Sequence, residues 1–319
     1  MRKRNPNNRA MRRRTRRRTM RNRKLILGLL SPWLIGVAVF FLYPLGATVY
    51  YSFTSFDMLT PARWVGLRNY SYMLHGDPYL WQALRNTAWV MAILVPCQLL
   101  FALGSALVLT RIKRGAGLFR TLFYLPSLAP PVAATIAFVF LFNPGTGPVN
   151  TILRWFGIQG PLWFTDPHWA KPGLVLLALW GAGNTMVIFL AALLDVPVEL
   201  HEAAACDGAG PLRRLITVTL PTIRPVLLFS LVTGMIGGLQ YFTQAVVAGE
   251  VASGSADITA SSGAPGYPDG STLTFPYWLY AQGFQRFNMG YACALGVVLF
   301  AIAIGFTAVL LRRTEGFAA

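Results

Sequence analysis

Residues 195–225 read DVPVELHEAAACDGAGPLRRLITVTLPTIRP and stand between two apolar runs that carry no charge. The stretch predicts two short helices joined by a glycine turn. Pro197 suits a first helical position, where its missing N–H costs nothing. Asp195 is placed to cap that end, and Glu199 and Glu202 add the negative charge that the helix dipole prefers there. Ala203, Ala204 and Ala205 are strong helix formers. Asp207-Gly208 then breaks the helix, because glycine accepts the left-handed conformation that closes a helix C-terminus. Gly210-Pro211 restarts the chain. Leu212, Leu215, Ile216, Thr219 and Leu220 form an apolar stripe at helical spacing, with Arg213 and Arg214 beside it. Leu220-Pro221 and Pro225 are expected to end this second helix and open the next apolar run.

The rest of the 319-residue chain explains why so polar a stretch stands out. It is 55% hydrophobic and only 12% charged, about half the charged fraction of a soluble domain. No Asp, Glu, Lys or Arg falls in 25–56, 86–110, 121–153, 172–194, 225–249 or 287–311. Each run is long enough to cross a bilayer, which takes about 20 residues. The expectation is an all-α membrane protein with six transmembrane helices. Its divisions are a basic tail at 1–24, a first helix with its external segment at 25–85, a core at 86–311 and a C-terminus at 312–319.

Orientation follows from Lys and Arg. Both termini and the loops at 111–120 and 195–224 lie on one side and hold 22 of the 28 basic residues. Without the tail, nine basic residues in those short segments face six in three longer opposite ones. The N and C termini and the 195–225 stretch are therefore expected in the cytoplasm. The net charge of +17 owes most to 13 basic residues in the tail. That tail lacks aromatic interleaving, so it reads as a topogenic segment held to anionic membrane lipids, not as a nucleic-acid arm.

Chemistry-bearing constellations are missing from the sequence. Cys97, Cys206 and Cys293 form no metal or redox motif, and His75, His168 and His201 are isolated. No catalytic set and no GxxxxGK[ST] phosphate loop occurs. No catalytic residue, metal site or cofactor is expected on this chain. If ATP drives it, another chain binds the ATP.

The central stretch resembles the cytoplasmic signature loop of binding-protein-dependent ABC importer permeases. The pattern stands here as Glu202-Ala203-Ala204, two residues, Asp207-Gly208-Ala209, then Leu220-Pro221 and Pro225, with unbroken spacing. The usual Phe and Ile of the second helix appear as Leu215 and Val218. Phe40 to Pro44, then Trp64, Gly66, Leu67, Asn69 and Tyr70, and later Thr272, Leu273, Tyr280, Phe284 and Gly290-Tyr291-Ala292, resemble the carbohydrate branch (maltose, glycerol-phosphate and lactose type). The resemblance implies a six-helix permease fold in the bacterial inner membrane. It also implies that Glu202, Ala203, Ala204, Asp207, Gly208, Ala209, Leu220 and Pro221 couple the chain to an ATPase.

The same resemblance implies partners: a second homologous permease, two ATP-binding subunits carrying ATP and Mg, and an extracytoplasmic sugar-binding protein. In this branch the sugar cavity lies between the fourth and fifth runs. Leu177, Gly181 and Asn184 share one expected helical face, as do Gly234, Gly238 and Tyr241. Gly181, Asn184, Gly238 and Tyr241 are thus candidates for the substrate path. Trp180 joins them as a stacking face and Gln244 as an amide for hydroxyls. Packing between helices explains the same residues equally well. Trp155, Trp163 and Trp169, like the aromatics of 272–287, are expected at the membrane interface, and 251–271 is expected to be flexible. The implied function is ATP-driven import of a sugar or oligosaccharide by alternating access. Import of glycerol phosphodiesters or polyols by the same machinery stays open, and an ion-coupled carrier is the rival from another class. The topology predicts that single cysteines at Ser261 and Ala116 label from opposite sides of the membrane. Labelling of both from one side would remove the six-helix arrangement.

Overall fold

The computed structural model describes Ile26, residues 28–254 and residues 265–315. The tail at 1–24, the chain end at 316–319, and 255–264 with Ser261 lie outside the described residues. The chain is helical almost throughout. α1 (Gly28–Ser52) leads into a small antiparallel pair, β1 (Thr54–Ser55) and β2 (Arg63–Trp64). α2 (Arg68–His75) and the long α3 (Leu80–Arg111) follow. α4 (Ala116–Leu128) and α5 (Pro131–Leu141) meet at 98°, and α6 (Pro148–Trp155) comes after them. α7 (Pro167–Trp180) and α8 (Gly183–Leu194) meet at 49°. α9 (Val198–Cys206) is followed by α10 (Pro211–Thr222) and α11 (Arg224–Leu239), which meet at 70°. α12 (Thr243–Ala252), α13 (Phe275–Tyr280) and α14 (Met289–Glu315) complete the fold.

Three helices, α1, α3 and α14, are long and apolar enough to cross a membrane, and there are up to six crossings if each bent pair is one span. The third, fourth and fifth apolar runs are therefore not single helices. Ala129 and Pro130 are extended (ψ 132 for both), as residues before prolines tend to be, and this turns the chain between α4 and α5. Gly181 and Ala182 sit near ψ 0 and open the α7–α8 bend. The fifth run stops at Leu239, and Gln240 to Phe242 separate it from α12.

Three prolines inside helices are accommodated in one repeated way. π-helical turns at Ala38–Leu42, Val90–Leu94 and Leu215–Thr219 each end two residues before a proline: Pro44, Pro96 and Pro221. In each, the N–H of the residue preceding that proline reaches back to the first carbonyl of the turn: Tyr43 to Ala38, Val95 to Val90, and Leu220 to Leu215. Widening the helix makes room where the proline ring would otherwise press on the preceding turn. α10 runs one residue past Pro221, to Thr222, and the chain turns at Ile223, between Pro221 and Pro225, where the second helix was expected to end and the next run to open.

α3 is the axis of the packing, since its length enters three successive cores. Leu80 and Ala83 pack with Leu273, Phe275, Trp278 and Leu295. Val90, Leu94 and Val95 pack with Val139, Leu174 and Tyr241. Ala102, Ala106 and Leu109 pack with Met186, Phe189 and Leu190. Polar ties hold its first turns. Asn86 Nδ2 donates to the carbonyls of Gly270 (2.7 Å) and Leu273 (2.8 Å), and Thr87 Oγ1 accepts from Phe275 N (2.8 Å). The segment 265–271 is thus anchored, not loose: Pro265, Gly266, Pro268, Gly270 and Ser271 are buried.

Phe275, Tyr277 and Trp278 are buried as well, so they form core instead of an interfacial belt. Trp163 is likewise 9% exposed and donates through Nε1 to Asn150 Oδ1 at 2.7 Å, whereas Trp155 is 78% exposed. A buried indole N–H needs such a partner, and here the chain supplies it.

Asp77 closes the same end of the fold. Its Oδ1 accepts from the N–H groups of Tyr79 (2.8 Å) and Leu80 (3.2 Å) at the start of α3. Its Oδ2 accepts from Trp278 Nε1 (2.6 Å) and from the Tyr291 hydroxyl. Arg286 lies 4.6 Å above the Trp278 ring. One carboxylate therefore joins α3, α13 and α14. Asp77→Ala leaves two buried donors unpaired and is expected to cost about 3 kcal/mol. The check is a lower thermal midpoint of the detergent-solubilised protein, with Asp77→Asn falling between.

Candidate functional site

Two regions carry the residues singled out above. The first is the polar stretch. α9 ends in a glycine C-cap of Schellman type, with Gly208 at φ 76. Gly208 N donates to Ala205 O (3.0 Å) and Ala209 N donates to Ala204 O (2.9 Å). A Cβ at Gly208 would meet nothing within 4 Å, so backbone conformation alone calls for glycine there. The N-terminal side differs from expectation. Asp195 closes α8, its N–H bonding Ala191 O at 3.2 Å, and caps nothing on α9. Pro197 takes the cap position itself, with ψ 131 and no side-chain bond. Only Asp195, Val196 and Pro197 separate α8 from α9, and Pro197 itself occupies the cap position.

α9 packs on α10 and buries none of its own residues. Glu202, Ala203, Asp207, Gly208 and Pro221 are exposed, while Ala204, Ala209 and Leu220 are half-buried. Val198 (60%) and Leu200 (46%) on α9 and Leu212 (70%) and Ile216 (56%) on α10 are also open. The stretch is a pair of short helices with anionic and apolar side chains that nothing among the described residues covers.

The second region is a cavity of about 300 Å³ between α3, the α4–α5 bend, α7 and α11. Five candidates line it: Trp180, Gly181, Gly238, Tyr241 and Gln244. Asn184 does not, because the bend after Gly181 turns it onto an exposed face of α8. The shared faces expected for these residues dissolve at the same breaks. Gly181 caps α7 while Asn184 belongs to α8, and Tyr241 lies beyond the end of α11. Tyr241 reaches the cavity from a non-helical turn whose carbonyl accepts from Thr274 Oγ1 at 2.8 Å.

The glycines divide by role. A Cβ on Gly238 would stand 3.1 Å from Val95 Cγ2, and one on Gly234 would stand 3.0 Å from Val95 Cγ1. Both permit close approach of α11 to α3. Gly237 meets nothing within 4 Å. Two further polar residues line the cavity, Gln98 on α3 and Ser127 at the α4–α5 bend. Gln98 was findable as an amide in a charge-free run; Ser127 carries no sequence signal. No charged side chain lines the space. Tyr241 is 9% exposed and its hydroxyl has no hydrogen-bond partner. The Trp180 ring lies 5.3 Å from that of Phe138. The lining thus offers two amides, a serine and an aromatic face, with the Tyr241 hydroxyl enclosed in the wall, a chemistry suited to hydroxyl-rich molecules. Among the described residues, no group of three His, Cys, Asp or Glu could hold a metal ion.

Comparisons with known proteins agree with one another. The family described as binding-protein-dependent transport system inner membrane component matches residues 98–314. The probable ABC transporter permease protein YesP of Bacillus subtilis is 37% identical over 290 residues, covering 90% of this chain and 89% of that protein. The sulfoquinovosyl glycerol transport system permease protein SmoG of Agrobacterium fabrum is 32% identical, covering 91% and 90%. The sn-glycerol-3-phosphate transport system permease protein UgpA of Escherichia coli is 33% identical, covering 93% and 96%. A chain of a bacterial ABC transporter involved in alginate import shares the fold, with a TM-score of 0.76 at 20% identity over 95% of this chain and 99% of that one. The chain belongs to the binding-protein-dependent transport system inner membrane component family, and it is a permease subunit of an ABC importer, not an enzyme.

Proposed function

We propose that this chain is one permease half of an importer that moves a sugar or oligosaccharide into the bacterial cytoplasm by alternating access. The observation that carries this reading is the cavity, where Trp180, Gln98, Ser127 and Gln244 converge without any charge and Tyr241 forms part of the wall. A buried hydroxyl left without a partner is costly, and a sugar hydroxyl is a fitting one. Relatives named for arabinooligosaccharide transport support a carbohydrate cargo. In this reading each bent pair is one span, giving six crossings of the inner membrane with both termini in the cytoplasm. The excess of Lys and Arg on that side supports the orientation.

The other half of the path comes from a second, homologous permease. A sugar-binding protein delivers cargo from outside, and two ATP-binding subunits hold ATP and Mg. α9 and α10 dock on an ATP-binding subunit through Glu202, Asp207 and the open apolar side chains. α8 joins α9 directly to the bend beside Trp180 and Gly181, so docking and cavity share one rigid element.

Two outcomes follow. Tyr241→Phe removes a hydroxyl that bonds nothing in the chain, so assembly and thermal midpoint should hold. The half-saturating cargo concentration in vesicle uptake should rise roughly tenfold, as for loss of one well-placed hydrogen bond; unchanged kinetics would assign Tyr241 to packing. Gly208→Val forces a β-branched residue to positive φ, and Glu202→Lys reverses charge at the docking face. Each should leave the subunit in the membrane but abolish ATP-driven uptake. Wild-type uptake by the double variant, or wild-type uptake that persists without ATP, would defeat the reading.

A further inference from the structure

A second hollow, of about 450 Å³, lies on the other side of α8, between α4 and α8. Its lining is Thr121, Tyr124, Val187, Leu190, Ala191 and Leu194, with Arg120 at the edge. The helices are antiparallel here, since a Cβ at Gly183 would stand 2.6 Å from Phe123 O. Arg120, one turn earlier on α4, therefore lies toward the Leu194 end, where α8 runs into the docking stretch. From Val187 to Leu194 the groove is about 10 Å long at the helical rise.

The groove has one mismatch. Arg120 Nε is buried and has no hydrogen-bond partner. Asp195 is one residue beyond the groove, yet among the described residues it forms no ion pair with Arg120. The turn leading into α4 adds Arg111, Lys113 and Arg114, all exposed, and no acid. The Thr121 hydroxyl donates to Gly117 O (3.0 Å), and it receives no bond from Arg120 Nε. A buried guanidinium N–H calls for an acceptor, and an anion is the strongest one.

We propose that this groove binds an anionic phospholipid of the cytoplasmic leaflet. The phosphate accepts from Arg120, with Lys113 and Arg114 adding attraction. One acyl chain lies along Val187, Leu190, Ala191 and Leu194. The charge pattern selects the occupant: an apolar trough with a cationic end at the depth where α4 leaves the basic turn matches a lipid with an acidic head. Because the groove spans α4 and α8, the lipid braces the helix that enters the docking stretch. The site is distinct from the cavity, with which it shares no lining residue, and does not depend on which cargo is carried.

The test uses the complete importer in nanodiscs of phosphatidylcholine alone or with phosphatidylglycerol. Benzoylphenylalanine replaces Ala191 and is activated by light, and its adducts are weighed by mass spectrometry. The expected adduct is phosphatidylglycerol, several-fold over its share of the bilayer. Arg120→Ala and Arg120→Gln should lower its yield roughly fivefold, the share of one basic side chain at an acidic surface. Arg120→Lys should restore most of it. Co-purification of the other subunits shows that each variant has folded. Phosphatidylcholine and phosphatidylglycerol captured in proportion to their abundance would overturn the proposal. So would a yield insensitive to Arg120, or adducts to the second permease, which would make the groove a subunit interface.

Discussion

A helix broken inside a bilayer frees backbone groups that water cannot reach, and each must find a partner in the protein. This chain is broken at 129–130, at 181–182 and at 240–242, and its architecture can be read as the answer to that demand. At Gly181 and Ala182 the N–H groups turn back to Leu177 and Leu179. At Tyr241 the carbonyl is taken by Thr274 from an anchored segment far along the chain. The anchoring of that segment in turn relies on Asn86 and Thr87 of α3. The cavity exists where these breaks meet, and it is lined by residues that a continuous helix would have aimed elsewhere.

The prolines show the opposite solution. Pro44, Pro96 and Pro221 remain within helices because a π turn precedes each. Breaks and bulges thus divide the labour: breaks bend the chain and form the cavity, while bulges keep long helices continuous across a residue that would end them. Membrane helices tolerate both because neighbours and local turns re-pair the backbone.

How far the sequence could be read depended on the range of the interaction. Gly208 was legible because a helix C-cap is built from adjacent residues. The apolar runs were legible for the same reason. Asp195 was misread because Pro197 could serve as the cap itself. Tyr241 was placed near the cavity by resemblance and Gln244 by chemistry, but the break that aims Tyr241 there carries no local signal. Asp77 carries no local sequence signal, since Trp278 and Tyr291, its partners, lie 201 and 214 residues away. Asn184 was misplaced by a bend of 49° that two small residues produce without any proline.

The contact at Gly183 has a mechanical meaning. With no side chain there, the start of α8 rests against the backbone of Phe123 and Tyr124, which makes that point a fulcrum. α8 is a rod of 12 residues, about 18 Å long at the helical rise. A tilt of about 5° at the fulcrum moves its far end by about 1.6 Å over that length. Such a displacement is small for a protein surface and large for a close-packed one. Trp180 and Gly181 lie across the 49° bend from α8, so the contact at Gly183 sits between the helix that leads to α9 and the residues that line the cavity.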